Sequence, residues 1–146
     1  MKTICYPVLA CAMSILPIAT VADSAASKTF VMETLQEALV KANPDVVPQY
    51  WAPNYIQHNP NIGNGMEHQK GLIQYLAGSG TFGAEYARVI ADDDNVAVHA
   101  RYTGFGPTAT IALDVFRVED GLIVAHRDVI APMPGPDAQD NQAGKF

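Results

Sequence analysis

The residues able to do chemistry in this 146-residue chain are few: four histidines and a handful of carboxylates set in otherwise apolar stretches. His58 stands in Tyr55-Ile56-Gln57-His58-Asn59-Pro60, where proline fixes the backbone directly after an imidazole and an amide. His99 and Arg101 share one alternating stretch, Asp114 and Phe116 a second, and His126 and Asp128 a third. A carboxylate in apolar surroundings is desolvated and becomes a better base, while a neighbouring cation draws it back toward the charged form. Asp128, close to His126 and His99, fits a tuned proton acceptor. Asp114 fits either of two roles, fixing the tautomer of His126 or forming a buried ion pair with Arg101. The same residues are also metal-ligand types, but no tight spacing such as His-Glu-x-x-His is present, and no metal is assigned. His68, among Glu67, Gln69 and Lys70, reads as solvated surface, and Ser79 lacks the surroundings of a hydrolase nucleophile.

These side chains meet only if the intervening elements bring them together. Val31, Leu35, Ala38, Leu39 and Ala42 recur at helical spacing and predict a helix over 29–42. Asn43-Pro44 stops it and starts a short second helix carrying Val46, Val47, Tyr50 and Trp51. "HNPNIGNG" reads as a loop, and a third helix over about 66–77 ends at Gly78. Beyond residue 84 the period changes to two, predicting strands at about 85–92, 95–103, 108–118 and 122–130. Helices followed by a curved antiparallel meander make an α+β domain with the helices on one face of the sheet.

The turns then set the pairing. If Glu119-Asp120-Gly121 is a three-residue loop, paired residue numbers sum to 240, which sets Asp114 opposite His126 and Phe116 opposite Val124. If Gly104–Pro107 connects the previous pair, the sum is 211 and His99 faces Ala112 while Arg101 faces Thr110. One face then gathers His99, Arg101, Asp114, Phe116, His126 and Asp128, and the other gathers Val96, Val98, Ala100, Ile111, Leu113 and Val129. Two His and two Asp mixed with Phe116 and Val124 suit a partly dry pocket better than a solvated sheet face. A slip of one residue at a turn would scatter this cluster.

Composition narrows the partners. The net charge of -6, with nine Lys and Arg in no cluster, argues against nucleic acid, and no basic amphipathic helix offers a membrane surface. Lys2, the apolar run Ile4–Val21 and the small residues that follow have the layout of a secretory signal peptide over 1–26, with cleavage after Ala22 or Ala26. The mature chain is then secreted or periplasmic and carries no membrane span. Both cysteines, Cys5 and Cys11, fall within that segment, so it has neither disulfide nor thiol nucleophile. The domain proper runs over 27–132, and residues 133–146 lack an apolar pattern and read as a disordered tail.

"YIQHNPNIGNG", "RVIADDDNVAVHARYTG" and "LDVFRVEDGLIVAHRDVIAP" together resemble the SnoaL-like polyketide cyclases of the nuclear transport factor 2-like superfamily. The resemblance spans about 29–132 and implies a cone-shaped, cystatin-like roll, a curved sheet wrapped around the helices and enclosing an apolar cavity. It also implies a homodimer through the outer sheet surface. In such cyclases a strand aspartate acts as acid/base in an aldol closure, and the matching residue is Asp128. Ala125 and Arg127 stand where the family usually has Glu and Trp. His58 matches the histidine of the family's Gln-His-Asn-Pro stretch, which places it at the cavity rim.

The expected function is a cofactor-independent lyase or isomerase acting on a small apolar carbonyl compound, with Asp128, His126 and His58 catalytic. His99, Arg101, Asp114, Phe116, Tyr55, Asn59 and Trp51 are the expected ligand-binding residues. A non-catalytic binding module of the same fold, or a hydrolase that activates water against an epoxide, would use the same residues.

Overall fold

The computed structural model describes residues 23–138 and Phe146. The expected leader therefore lies largely outside the described residues, as does most of the expected disordered tail. Among those described, no helix is long and apolar enough to cross a membrane.

Asp23 caps helix α1 (Ser24–Leu35) by accepting the Ala25 N–H, and the helix continues as one π-helical turn over Gln36–Val40. Asn43 accepts the Asp45 N–H and Pro44 opens a 3-10 turn, so the predicted stop-and-restart is present in short form, leading into α2 (Val47–Tyr50). Helix α3 (Met66–Ser79) runs one residue past Gly78 and closes at Gly80, whose φ of 64° suits a residue without Cβ.

The sheet has five strands, not four, in the order β1-β5-β4-β3-β2. β2 (Gly83–Asp92), β3 (Asn95–Thr103), β4 (Thr110–Glu119) and β5 (Leu122–Pro132) form the expected antiparallel meander. The additional strand, β1 (Trp51–Gln57), runs parallel to β5 at the sheet edge and makes the sheet mixed. Pro53 hides it in the sequence, because a proline argues against a strand interior. At an edge, where the pairing with β5 is already irregular between Trp51 and Ile56, the missing N–H costs little.

The curved sheet packs its concave face on α1 and α3. Val31, Leu35, Val47, Trp51, Ile73, Val96, Val98 and Ile123 are each 0–1% exposed there. At about 25 cal/mol per Å² of apolar surface removed from water, these residues dominate the favourable side of folding.

The two turn lengths decide which polar residues join that face. At the β4–β5 turn only Asp120 and Gly121 are unpaired, both with positive φ, and Val124 forms a bulge opposite Arg117. Phe116 consequently pairs with His126 and Asp114 with Asp128, a sum of 242 instead of 240. The offset is even, so all four stay on the expected face.

The β3–β4 pairing sums to 212 instead of 211, and this odd offset reverses β3. His99 and Arg101 point to the convex surface, while Val96, Val98, Ala100 and Tyr102 join Asp114 inside. The loop is longer than four residues because Phe105 folds back against Phe82 and Tyr102, with ring centroids 5.4 and 5.6 Å away. The polar cluster thus sits in the core face itself, without a polar face of its own.

Candidate functional site

β1 delivers its polar side chains by alternation: Tyr55 and Gln57 face inward, and the chain keeps the same phase through Asn59 just past the strand. The Gln57 amide donates to the Tyr55 hydroxyl at 3.0 Å and accepts the Asn59 N–H at 2.9 Å. The Gln57 N–H is itself held by Asn64 Oδ1 at 2.8 Å, which ties the end of β1 to the loop ahead of α3. Asn59 Oδ1 accepts the Asn61 N–H at 2.8 Å, which leaves its Nδ2 to donate to both Asp128 oxygens at 3.0 and 2.8 Å.

From β3, β4 and β5 come Tyr102, Asp114, Phe116, His126 and Asp128. The Tyr102 hydroxyl donates to Asp114 Oδ2 at 2.7 Å, and His126 Nε2 lies 3.1 Å from Asp114 Oδ1. His126 Nδ1 lies 3.0 Å from Gln57 Oε1, and its ring stacks on Phe116 at 4.7 Å. Asp114 and His126 are 4% and 7% exposed, while Asp128 is only half-buried.

These groups form the polar wall of a cavity of about 110 Å³. The rest of the lining is mostly apolar, with Leu35, Leu39, Leu72, Leu76, Phe82 and Phe105 among its residues. Burial pushes the Tyr102 phenol well above its usual range, and the charge of Asp114 adds to the effect. Burial likewise raises Tyr55, with Asp128 and Asp114 contributing, against a lowering influence from the Trp51 indole. Both phenols therefore remain neutral at ordinary pH.

Of the residues expected to bind or react, Asp128, His126, Asp114, Phe116, Asn59 and Trp51 line the cavity, and Tyr55 supports it through Gln57. Three expectations are corrected. His58 is exposed and does not line the cavity; the alternation that turns Gln57 and Asn59 inward turns His58 out, and its backbone N–H donates to the His126 carbonyl at 2.9 Å. Arg101 pairs with Glu85 at 2.8 Å on the convex side, so it is not the partner of Asp114. His99 lies against the Phe146 ring at 5.5 Å, also outside.

Besides the apolar lining, two members of the polar hydrogen-bonded cluster escaped the sequence reading. Gln57 was legible as the residue two after Tyr55, had β1 been recognised. Tyr102 was hidden by the reversed phase of β3, although the alternating Val96, Val98 and Ala100 point to the buried face that carries it.

Donor atoms of Asp114, His126 and Asp128 lie within 4.8 Å of one another, the set among the described residues best placed to hold a cation. Their lone pairs are committed elsewhere, to Tyr102, Asn59, Gln57 and each other. A metal would have to break those contacts. The arrangement as it stands suits proton transfer: one carboxylate open to the cavity, and a second tied into an imidazole and a phenol.

No curated protein matches the sequence. Solved structures do. TsrD from Streptomyces laurentii matches with TM-score 0.62 at 19% identity, covering 74% of this chain and 90% of that one. An LEH-like epoxide hydrolase from M. tuberculosis matches with TM-score 0.62 at 22% identity, over 74% of this chain and 84% of the other. An NTF2-like protein of unknown function from Mesorhizobium loti gives TM-score 0.64 at 16% identity, over 75% and 94%. At such identities the likeness establishes the α+β NTF2-like fold alone. Membership rests on the sequence, since the SnoaL-like domain profile matches residues 32–126, well over half of the chain. This chain belongs to the SnoaL-like domain family.

Proposed function

We propose that the cavity performs cofactor-independent acid/base chemistry on a compact, largely apolar carbonyl compound. Asp128 takes a proton from the carbon next to the carbonyl, and the electron pair moves to the carbonyl oxygen. His126, with Tyr102 behind it, supplies the hydrogen-bonding side for the enolate. Attack of that enolate on a second carbonyl of the same molecule gives an aldol-type cyclase. Return of the proton to a different carbon gives an isomerase.

The observation that carries this reading is the division of labour between the two carboxylates. Asp128, half-buried in the polar wall of an otherwise mostly apolar cavity, is held among the described residues by the Asn59 amide, while Asp114 is engaged by Tyr102 and His126. The donor role expected of His58 passes to the His126 side. At about 110 Å³ the cavity is smaller than the ~150 Å³ void that admits benzene, so the reacting part of the ligand is compact.

The test is Asp128→Asn, assayed for affinity and turnover on a panel of β-keto compounds and small epoxides. Retained binding with lost ketone turnover supports the proposal. Binding without turnover by the parent protein favours a binding module, which the predominantly apolar lining would also serve. Turnover confined to epoxides favours water activation at the Asn59–Asp128 pair.

The chain is proposed to act after export to the periplasm or beyond. Two copies are proposed to pair through the convex face, where Ile90, Leu113 and Val129 are 66%, 48% and 75% exposed. Analytical ultracentrifugation of the parent and of Val129→Lys checks the pairing.

A further inference from the structure

We propose that Gln57 is a positioning residue that keeps a hydrogen on Nδ1 of His126, so that His126 and Asp114 hold one further hydrogen between them and face the cavity as an acid. Only the catalytic consequence rests on the function proposed above.

The amide orientation of Gln57 is fixed by its neighbours. The Asn59 backbone N–H has only a hydrogen to give, so the amide atom 2.9 Å from it is oxygen. The amide nitrogen then meets the Tyr55 hydroxyl at 3.0 Å, which accepts. Turning the amide over would set NH2 against N–H in a site where Gln57 is 8% exposed and water cannot compensate. That same oxygen lies 3.0 Å from His126 Nδ1, so Nδ1 must carry the hydrogen.

The other ring nitrogen follows from this. Asp114 Oδ2 already accepts from Tyr102, and Oδ1 lies 3.1 Å from Nε2. With Nδ1 protonated and no hydrogen between Nε2 and Oδ1, two lone pairs would face each other in a buried site. One hydrogen must lie there, whether the pair is written as imidazolium and carboxylate or as imidazole and carboxylic acid.

The reaction then balances without a cofactor. Asp128 gains a proton from the substrate carbon, and the Asp114–His126 pair gives the carbonyl oxygen the hydrogen held between Nε2 and Oδ1, which has to leave that contact to reach the ligand. Return of both protons resets the site.

Nitrogen-15 NMR of the histidine-labelled full chain tests the assignment without any substrate. The parent is expected to show a hydrogen bonded to Nδ1 of His126. Gln57→Leu should lose that Nδ1 signature, and Gln57→Glu, which keeps an acceptor at the same place, should restore it. An unprotonated Nδ1 in the parent overturns the proposal without need of any variant, as does a folded Gln57→Leu protein with an unchanged ring spectrum. Once a substrate is known, Gln57→Leu is expected to lower kcat by about 10²-fold with little change in KM, and Gln57→Glu to recover most of it. A parent with the expected spectrum but no turnover keeps the hydrogen assignment and discards only the reaction.

Discussion

Asp114 and Asp128 stand directly opposite each other on β4 and β5, yet each carboxylate has its own hydrogen-bond partners. Substituting the two with asparagine should therefore have opposite profiles. Asp128→Asn is expected to cost about 10²–10⁴-fold in turnover and little stability, because Asp128 has one partner and is half-buried. Asp114→Asn leaves Tyr102 or His126 without its acceptor and is expected to cost about 1–3 kcal/mol of stability. Denaturant titration beside steady-state kinetics separates the two.

Two neighbours in the loop after β1 should differ as sharply. His58→Ala is expected to stay within about 0.5 kcal/mol of the parent in stability and to leave turnover unchanged, since the ring is exposed. Asn59→Ala removes the amide nitrogen that donates to both Asp128 oxygens and is expected to lower turnover by about 10–10²-fold, the worth of a hydrogen bond to a charged group. Equal loss in both variants would return His58 to the site.

Alkaline pH should weaken the fold in a defined direction. Burial raises Tyr55, Tyr86 and Tyr102 above their usual value near 10. Below pH ~10 folded and unfolded chains hold the same phenolic protons and these groups leave stability unchanged. Above it the unfolded chain sheds protons that the folded chain retains, so stability falls by about 1.4 kcal/mol per pH unit for each group. Phenolate absorbance should show these three tyrosines ionising only together with unfolding.

The exported form is expected to begin at Asp23. Cleavage after Ala26 would remove the Asp23 cap of α1 and the Ser24 hydroxyl that accepts the Asp93 N–H of the β2–β3 turn at 3.0 Å. Loss of the cap alone costs about 1 kcal/mol. Intact mass of protein recovered from the periplasm or medium checks the site, and a chain starting at Ser27 should melt lower than one starting at Asp23.

How far the sequence could be read depended on which physical signal each element carries. Helical periodicity marked α1 and α3, and the cap at Asn43-Pro44 marked the break between the first helices, because these are local signals. Asp114, Phe116, His126 and Asp128 were grouped correctly, since two neighbouring strands need only the right parity to share a face. His99 and Arg101 were misplaced by the β3–β4 loop, whose length is set by Phe105 packing on Phe82 and Tyr102, a tertiary contact that no turn rule contains. β1 was missed for a related reason. Its support is a parallel partner some seventy residues away, and Pro53 argues locally against it.

The bulge at Val124 lets the β4–β5 hairpin hold one residue that faces no partner without changing which side chains point inward beyond it. Deleting Val124 itself would leave Phe116 opposite His126 and Asp114 opposite Asp128, whereas deleting a paired residue such as Ile123 while the bulge is kept would turn His126 and Asp128 out to solvent. Relatives that retain His-x-Asp but are one residue shorter in this hairpin are therefore expected to keep the site where the missing residue is the bulge and to lose it where the missing residue is a paired one.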